Sequence, residues 1–276
     1  MFWTRVASGI VLLIILGFVF ITGGNVLLAF LGVISVIGLN EFYNAVGLSS
    51  KEKKIDALTL VGYIGCIMLY ILMFITDGNI AYMIFVPALS LIFMLTAFVF
   101  TYPKYNATEV AYAFMGVCYA PALLVFVYLT RQLDQGIYLV WLVFMSSWIC
   151  DIFAYCVGML FGKHKLAPVL SPKKSIEGAV GGVVFSAIFG GVYGFVISSY
   201  VSAQFSMTVA CAVVSAFGAV VSQIGDLSAS AIKRGFGIKD YGHLIPGHGG
   251  ILDRFDSVIF AAPMVYIVSV IFTGMQ

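Results

Sequence analysis

Charge is scarce in this sequence. Asp, Glu, Lys and Arg make up 9% of its residues, where an ordinary soluble domain carries about 25%. So little charge excludes a surface that faces water on all sides. Paired cysteines are missing too. Cys66, Cys118, Cys150, Cys156 and Cys211 all fall inside apolar runs, with no C-x-x-C among them. They read as small buried hydrophobes, not as a disulfide framework or a zinc site. The histidines are not paired at ligand spacing either, which again argues against zinc. There is no Walker A sequence and no kinase-type glycine loop followed by its lysine strand. No soluble domain, low-complexity tract or internal repeat stands out. No A-x-A cleavage site follows the first apolar run, so that run is expected to be a retained span.

What the chain has is apolar length. Of its 276 residues, 62% are hydrophobic, and the mean hydropathy is +1.09. Runs of about twenty apolar residues recur from end to end, the mark of an all-α, polytopic helical membrane protein. The pattern predicts spans at 6–22, 26–47, 57–76, 80–101, 110–130, 137–161, 178–200, 207–232 and 257–274. The first two form one stretch broken only by Gly23-Gly24-Asn25. As one helix it would rise about 60 Å, twice the hydrocarbon thickness, so it must fold back. About nine spans result. They group as an N-terminal bundle over 1–136, with about five spans, and a C-terminal region over 137–276, with about four.

The basic residues test this count. With nine spans, every Lys and Arg except Arg131 falls on the side that holds the N-terminus. The positive-inside rule then makes that side cytoplasmic. Two cytoplasmic connections are long, 162–177 and 233–256, and both are rich in Gly, Pro, Lys and His. Long loops between tightly connected elements are where function usually sits.

Three acids fall at membrane depth: Asp151, Asp226 and, in the last turns of span two, Glu41. A carboxylate there costs about 2.5–3.5 kcal/mol on insertion scales, so it turns inward or to water and finds a partner. At helical spacing Asp226 shares a face with Ser222, Ser230 and Lys233. Asp151 shares one with Ser147, Tyr155, Gly158 and Gly162. For each acid a purely structural hydrogen bond is the competing reading, and for Glu41 the two readings balance.

The segment from Asp226 to Asp256 concentrates the chemistry. Asp226, Asp240, Asp253 and Asp256 are hard oxygen donors, and Lys233, Arg234, Lys239 and Arg254 are phosphate partners. Asp253 and Asp256, three apart, would share one face of a helix start, where anions also bind. The turn Pro246-Gly247-His248-Gly249-Gly250 clears side chains so that backbone can approach a ligand. Carboxylates beside phosphate-binding cations fit Mg²⁺, and this many carboxylates could serve two ions. The other long loop adds Lys163, Lys165, Lys173 and Lys174, with Ser175 as N-cap of the next span. Ser171, Glu177 and Asp151 complete the candidate substrate contacts with Lys173, Lys174, Ser175, Gly249 and Gly250. Gly178 and Gly182, then Gly190 and Gly194, are spaced for close helix packing. A nucleoside triphosphate or a phospholipid head group would suit such a site.

The run Ser230-Ala-Ile-Lys233-Arg234, four residues, Lys239-Asp240, Gly242, Ile245-Pro246, His248-Gly249-Gly250 and Asp253-Arg254-Phe-Asp256 resembles the signature of the phosphatidate cytidylyltransferase (CDP-diacylglycerol synthase) family. The block "DIFAYCVGMLFGKHKLAPVLSPKKSIEGAVGG" is similar to that family's other strong block. The first 140 residues match it only in hydropathy and size. The resemblance implies CTP and phosphatidate as substrates, Mg²⁺ dependence with room for a second ion, a cytoplasmic site in a bacterial membrane, and a homodimer. It implies metal-holding roles for Asp226 and Asp253, joined by Asp256. Phosphate contacts are implied for Lys173, Lys174, Lys233, Arg234 and Lys239. A part for His248 in substrate contact or in shaping the turn stays open. Two other readings compete, a CTP-dependent polyprenol kinase and a transporter that binds its coupling ion at Asp151 and Asp226.

Overall fold

The computed structural model describes residues 2–49, 56–201, 206–245 and 249–273, with side chains from residue 9 to residue 271. His248 and the lysines at 51, 53 and 54 therefore lie outside the described residues. The helices are α1 (Phe2–Thr22), α2 (Gly24–Ala45), α3 (Ala57–Ile75) and α4 (Tyr82–Phe100). They continue as α5 (Ala107–Gln132) and α6 (Gly136–Phe161), then α7 (Ile176–Ile197), α8 (Met207–Gly235) and α9 (Leu252–Thr273). Among the described residues, eight helices, α2 to α9, are long and apolar enough to cross a membrane. In α1, the apolar stretch with described side chains is Gly9–Thr22. The chain is a multi-pass, all-α membrane protein, as its hydropathy predicts.

Local sequence explains most of the boundaries. The break between α1 and α2 falls at Gly23, whose φ of 63° a side chain would oppose. Asp56 caps α3 in a reciprocal pair with Thr59, and Asn106 caps α5 with Glu109 in the same way. Two spans are not regular. Cys118–Ala122 in α5 and Met145–Ile149 in α6 form wide π turns. The first contains Pro121, which has no N–H to continue the α pattern.

Three expectations need correction. The last span begins at Leu252, not at 257, because polar partners cap a turn that hydropathy excludes. The connection 162–177 is not only loop: β1 (Lys165–Ala167) and β2 (Ser171–Ser175) pair antiparallel, Lys165 opposite Ser175. Ser147 does not line a polar stripe with Asp151. It is wholly buried, its hydroxyl donating to Val143 O at 2.9 Å, and the wide turn at 145–149 breaks the four-residue spacing.

The chain forms two compact units, 1–128 with 236–254, and 129–235 with 255–276. In the first, α2 is tied to α3 by a buried Ser35–Tyr70 hydroxyl pair at 2.6 Å, and to α5 by Tyr43 Oη donating to Ala113 O at 2.8 Å. In the second, α7 packs along α6 and α8. Its glycines let backbones touch: a Cβ at Gly182 would lie 2.8 Å from Cys150 O on α6, and one at Gly190 2.6 Å from Cys211 O on α8. Lipid gives helices no hydrophobic reason to associate, so such close approach and hydrogen bonding hold them together.

Candidate active site

In the second unit, α6, the β1–β2 hairpin, α7 and α8 enclose a cavity of about 540 Å³. It gathers Asp151, Ser171, Lys173, Lys174, Ser175 and Asp226, all expected from sequence. The hairpin delivers Lys173 and Lys174, and α8 delivers Asp226 about two and a half turns before its end. Lys174 Nζ pairs with Asp226 Oδ2, each side chain about a quarter exposed, 27% and 25%. Ser175 caps α7 as expected, accepting from Gly178 N at 3.2 Å. Glu177 turns away from the cavity lining. It closes the start of the loop by accepting from the backbone of Lys163 at 3.1 Å and from His164 Nδ1 at 2.6 Å.

Asp256 belongs to the same unit and is buried, 8% exposed. Its Oδ1 accepts from Ser257 N at 2.8 Å. The charges of Asp226, Lys233 and Asp151 all act on it. Ser257 Oγ reaches Asp151 Oδ2 at 3.5 Å, the outer limit of a hydrogen bond. Arg234 is exposed and Lys233 half-buried at the end of α8. Among the described residues no three Asp, Glu, His or Cys side chains already form a metal-sized cluster.

The first unit holds Lys239, Asp240, Gly249, Gly250, Asp253 and Arg254. Lys239, Asp240 and Arg254 are exposed. Asp253 is buried, and its Oδ2 accepts from Tyr241 N at 2.8 Å and from Gly250 N at 3.0 Å. One carboxylate thus ties the backbone at Tyr241 and at Gly250 to the start of α9. Ile245 N donates to Gly249 O at 2.9 Å. Gly249, at φ +85°, adopts a conformation that side chains resist.

The residue that sequence reasoning left undecided is Glu41. It is buried, 6% exposed, and accepts from Ile251 N at 3.0 Å and Leu252 N at 2.8 Å. Its carboxylate also explains two glycines of the signature run. A Cβ at Gly242 or at Gly250 would lie 2.5 Å from Glu41 Oε1. Gln223 was not among the expected site residues, yet it lines the cavity of the second unit, as does Lys165 of the cationic loop. Gln223 could have been noticed as an amide inside an apolar span, three residues before Asp226.

Fold and cavity define a multi-pass membrane protein with a charged cavity of about 540 Å³ at the loop end of its helices. The chain matches the Cytidylyltransferase family over residues 3–272 and belongs to it. A phosphatidate cytidylyltransferase of Staphylococcus saprophyticus is 33% identical over 267 residues, 95% of this chain and 97% of its own. One from Staphylococcus epidermidis gives the same figures, 33% over 267 residues, with 95% and 97% covered. One from Staphylococcus aureus is 36% identical over 164 residues, 59% of this chain and 60% of its own. The chain is thus an enzyme of the nucleotidyl-transferring kind.

Proposed function

We propose that the chain transfers the cytidylyl group of CTP to phosphatidate, giving CDP-diacylglycerol and pyrophosphate for phospholipid synthesis in a bacterial plasma membrane. The observation that carries this reading is the cavity around Lys174 and Asp226, in a chain whose relatives bear the name phosphatidate cytidylyltransferase. Lysines for phosphate and carboxylates for a hard cation share one wall. The placement of every basic residue but Arg131 on one side supports a cytoplasmic opening. A homodimer, implied by the family resemblance, is checked by mass measurement in detergent.

Phosphatidate ends in a phosphate monoester, whose second pKa is about 6 by analogy with phosphoserine. At neutral pH its oxygen is already anionic, so no protein base is needed. That oxygen attacks the α-phosphorus of CTP. A new P–O bond forms, the bond from the α-phosphorus to the oxygen bridging to the β-phosphorus breaks, and pyrophosphate leaves with the electron pair. Lys165, Lys173 and Lys174 hold phosphate oxygens in the cavity, and Lys233 and Arg234 draw off the departing charge. The protein's task is alignment and charge neutralisation.

The donors fit Mg²⁺. Asp151, Asp226 and Asp256 offer hard oxygens, the charges of the first two acting on the third, and a lysine ammonium rests against Asp226. Asp226 and Asp256 would hold the ion, and the family resemblance adds Asp253. When bound, it would neutralise phosphate charge and orient the groups that react.

The test uses purified protein, phosphatidate in mixed micelles and CTP labelled on the α-phosphate. Label should enter the organic phase, and EDTA should stop it. Transfer of label only from γ-labelled CTP, to polyprenol, would replace this reading with a kinase. Solute uptake without lipid turnover would replace it with a transporter.

A further inference from the structure

The charged cavity continues into a second one. A groove of about 440 Å³ lies between α7 and α8. Leu166, Ala179 and Gln223 line both spaces. Past them the walls are aliphatic, with Val184 on α7 and Val220 and Ile224 on α8. These three are about half exposed, at 48%, 46% and 51%. On a membrane-spanning helix such surface meets hydrocarbon, which is as apolar as the side chains themselves. From Val220 to Leu227 the groove follows about 10 Å of helix axis.

Gln223 sits where polar gives way to apolar. Its Nε2 donates to Ala179 O at 3.0 Å and reaches Cys150 Sγ at 3.2 Å, so the amide is held in place. A soluble nucleotide could use the charged cavity alone. Only an amphiphile, with an anionic head and a hydrocarbon tail, uses both spaces at once.

We infer that the groove between α7 and α8 is the acyl-chain subsite for the lipid substrate. The phosphate head lies among Lys173, Lys174 and Ser171, and one acyl chain leaves over Gln223 along Val184, Val220 and Ile224. The rest of the chain stays in the bilayer. This rests on the reading of the charged cavity as a phosphatidate site. It also names the groove as the element that measures acyl-chain shape.

The test is photocross-linking of the full chain in lipid nanodiscs, with phosphatidate carrying a diazirine in its acyl chain. Adducts should concentrate in 180–184 and 220–227, and unlabelled phosphatidate should displace them. A phosphatidylcholine probe with the same chain should not concentrate there. Adducts elsewhere, or equal labelling by both probes, would overturn the assignment and make the groove an ordinary lipid-facing surface. The map does not depend on turnover, so it decides the groove even if cytidylyl transfer is never seen.

Kinetics give a second arm. Val184→Trp and Val220→Trp place a ring in the groove without touching the core. Each should raise KM for long-chain phosphatidate roughly tenfold, as for about two displaced methylenes. The KM for CTP should not change. Val192→Trp, on α7, 58% exposed and outside the groove, should leave both constants as they were. Groove variants that match Val192→Trp would sink the proposal while leaving the transferase reading intact.

Discussion

The carboxylate of Glu41, at the end of α2, accepts the backbone N–H of Leu252 at 2.8 Å, across 211 positions of sequence. With Ile251 N at 3.0 Å it satisfies two donors at the start of α9, where helical N–H groups have no partner of their own. The same contact keeps Gly250 and the start of α9 against α2.

Glu41→Ala should therefore cost stability as well as activity. Two buried N–H groups would lose their acceptor, at about 1–3 kcal/mol each. A lower melting temperature in detergent and a reduced turnover are both expected, with Glu41→Gln in between. Gly250→Ala should act in the same direction, since its Cβ would meet the Glu41 carboxylate at 2.5 Å. A Glu41→Ala protein that melts like its parent would show that the contact carries no weight.

Asp226→Asn should leave the protein folded and end catalysis. The side chain is partly exposed and pairs with Lys174, so little of the helix packing depends on it. Turnover should fall roughly a hundredfold or more, the scale for losing a group that stabilises transition-state charge. Near-normal turnover would remove Asp226 from the site.

Asp253→Asn tests a different balance. The amide oxygen can still accept from Tyr241 N and Gly250 N, so the turn should persist and the melting temperature stay close to that of the parent. Loss of turnover in a well-folded Asp253→Asn protein is the expected outcome. Asp134→Asn, exposed in the short connection between α5 and α6, is the matched control and should retain full rate. Unimpaired turnover of Asp253→Asn would reduce Asp253 to a turn-forming residue.

Much of this was readable beforehand. The spans were visible because insertion demands about twenty apolar residues, and the caps and glycine breaks marked their ends. Asp226, Lys173 and Lys174 stood out because charge within or beside an apolar run is costly. The partnership of Glu41 with 250–252 was not readable, since nothing local links positions so far apart. The π turns were missed because one extra residue in a turn leaves hydropathy unchanged while rotating everything that follows. That rotation is why Ser147 is buried away from Asp151's cavity. The hairpin at 165–175 was missed because its strands are short and one contains Pro172, which ordinarily argues against a strand.

Two neighbouring glycines on α7 should respond differently to the same change. Gly190→Ala brings a methyl within 2.6 Å of Cys211 O, which is backbone and cannot turn aside. It should destabilise by about 1–3 kcal/mol, as overpacking does. At Gly191 the nearest atom to a new methyl is Ala212 Cβ at 3.5 Å, an ordinary contact. Gly191→Ala should be neutral, or stabilise by up to about 1 kcal/mol through reduced chain entropy. Thermal melts of the two variants side by side decide it.

The glycine faces of α7 have a mechanical consequence. Near its start, Gly178 and Gly182 lie against the backbone of α6; further on, Gly190 and Gly194 lie against that of α8. A single rod is thus clamped close against the backbone of a neighbour near each end. The helix acts as a splint. The helices bearing Asp151 and Asp226 cannot slide or splay without breaking one of the clamps. The gap between those two acids is therefore set by the scaffold before any phosphate arrives.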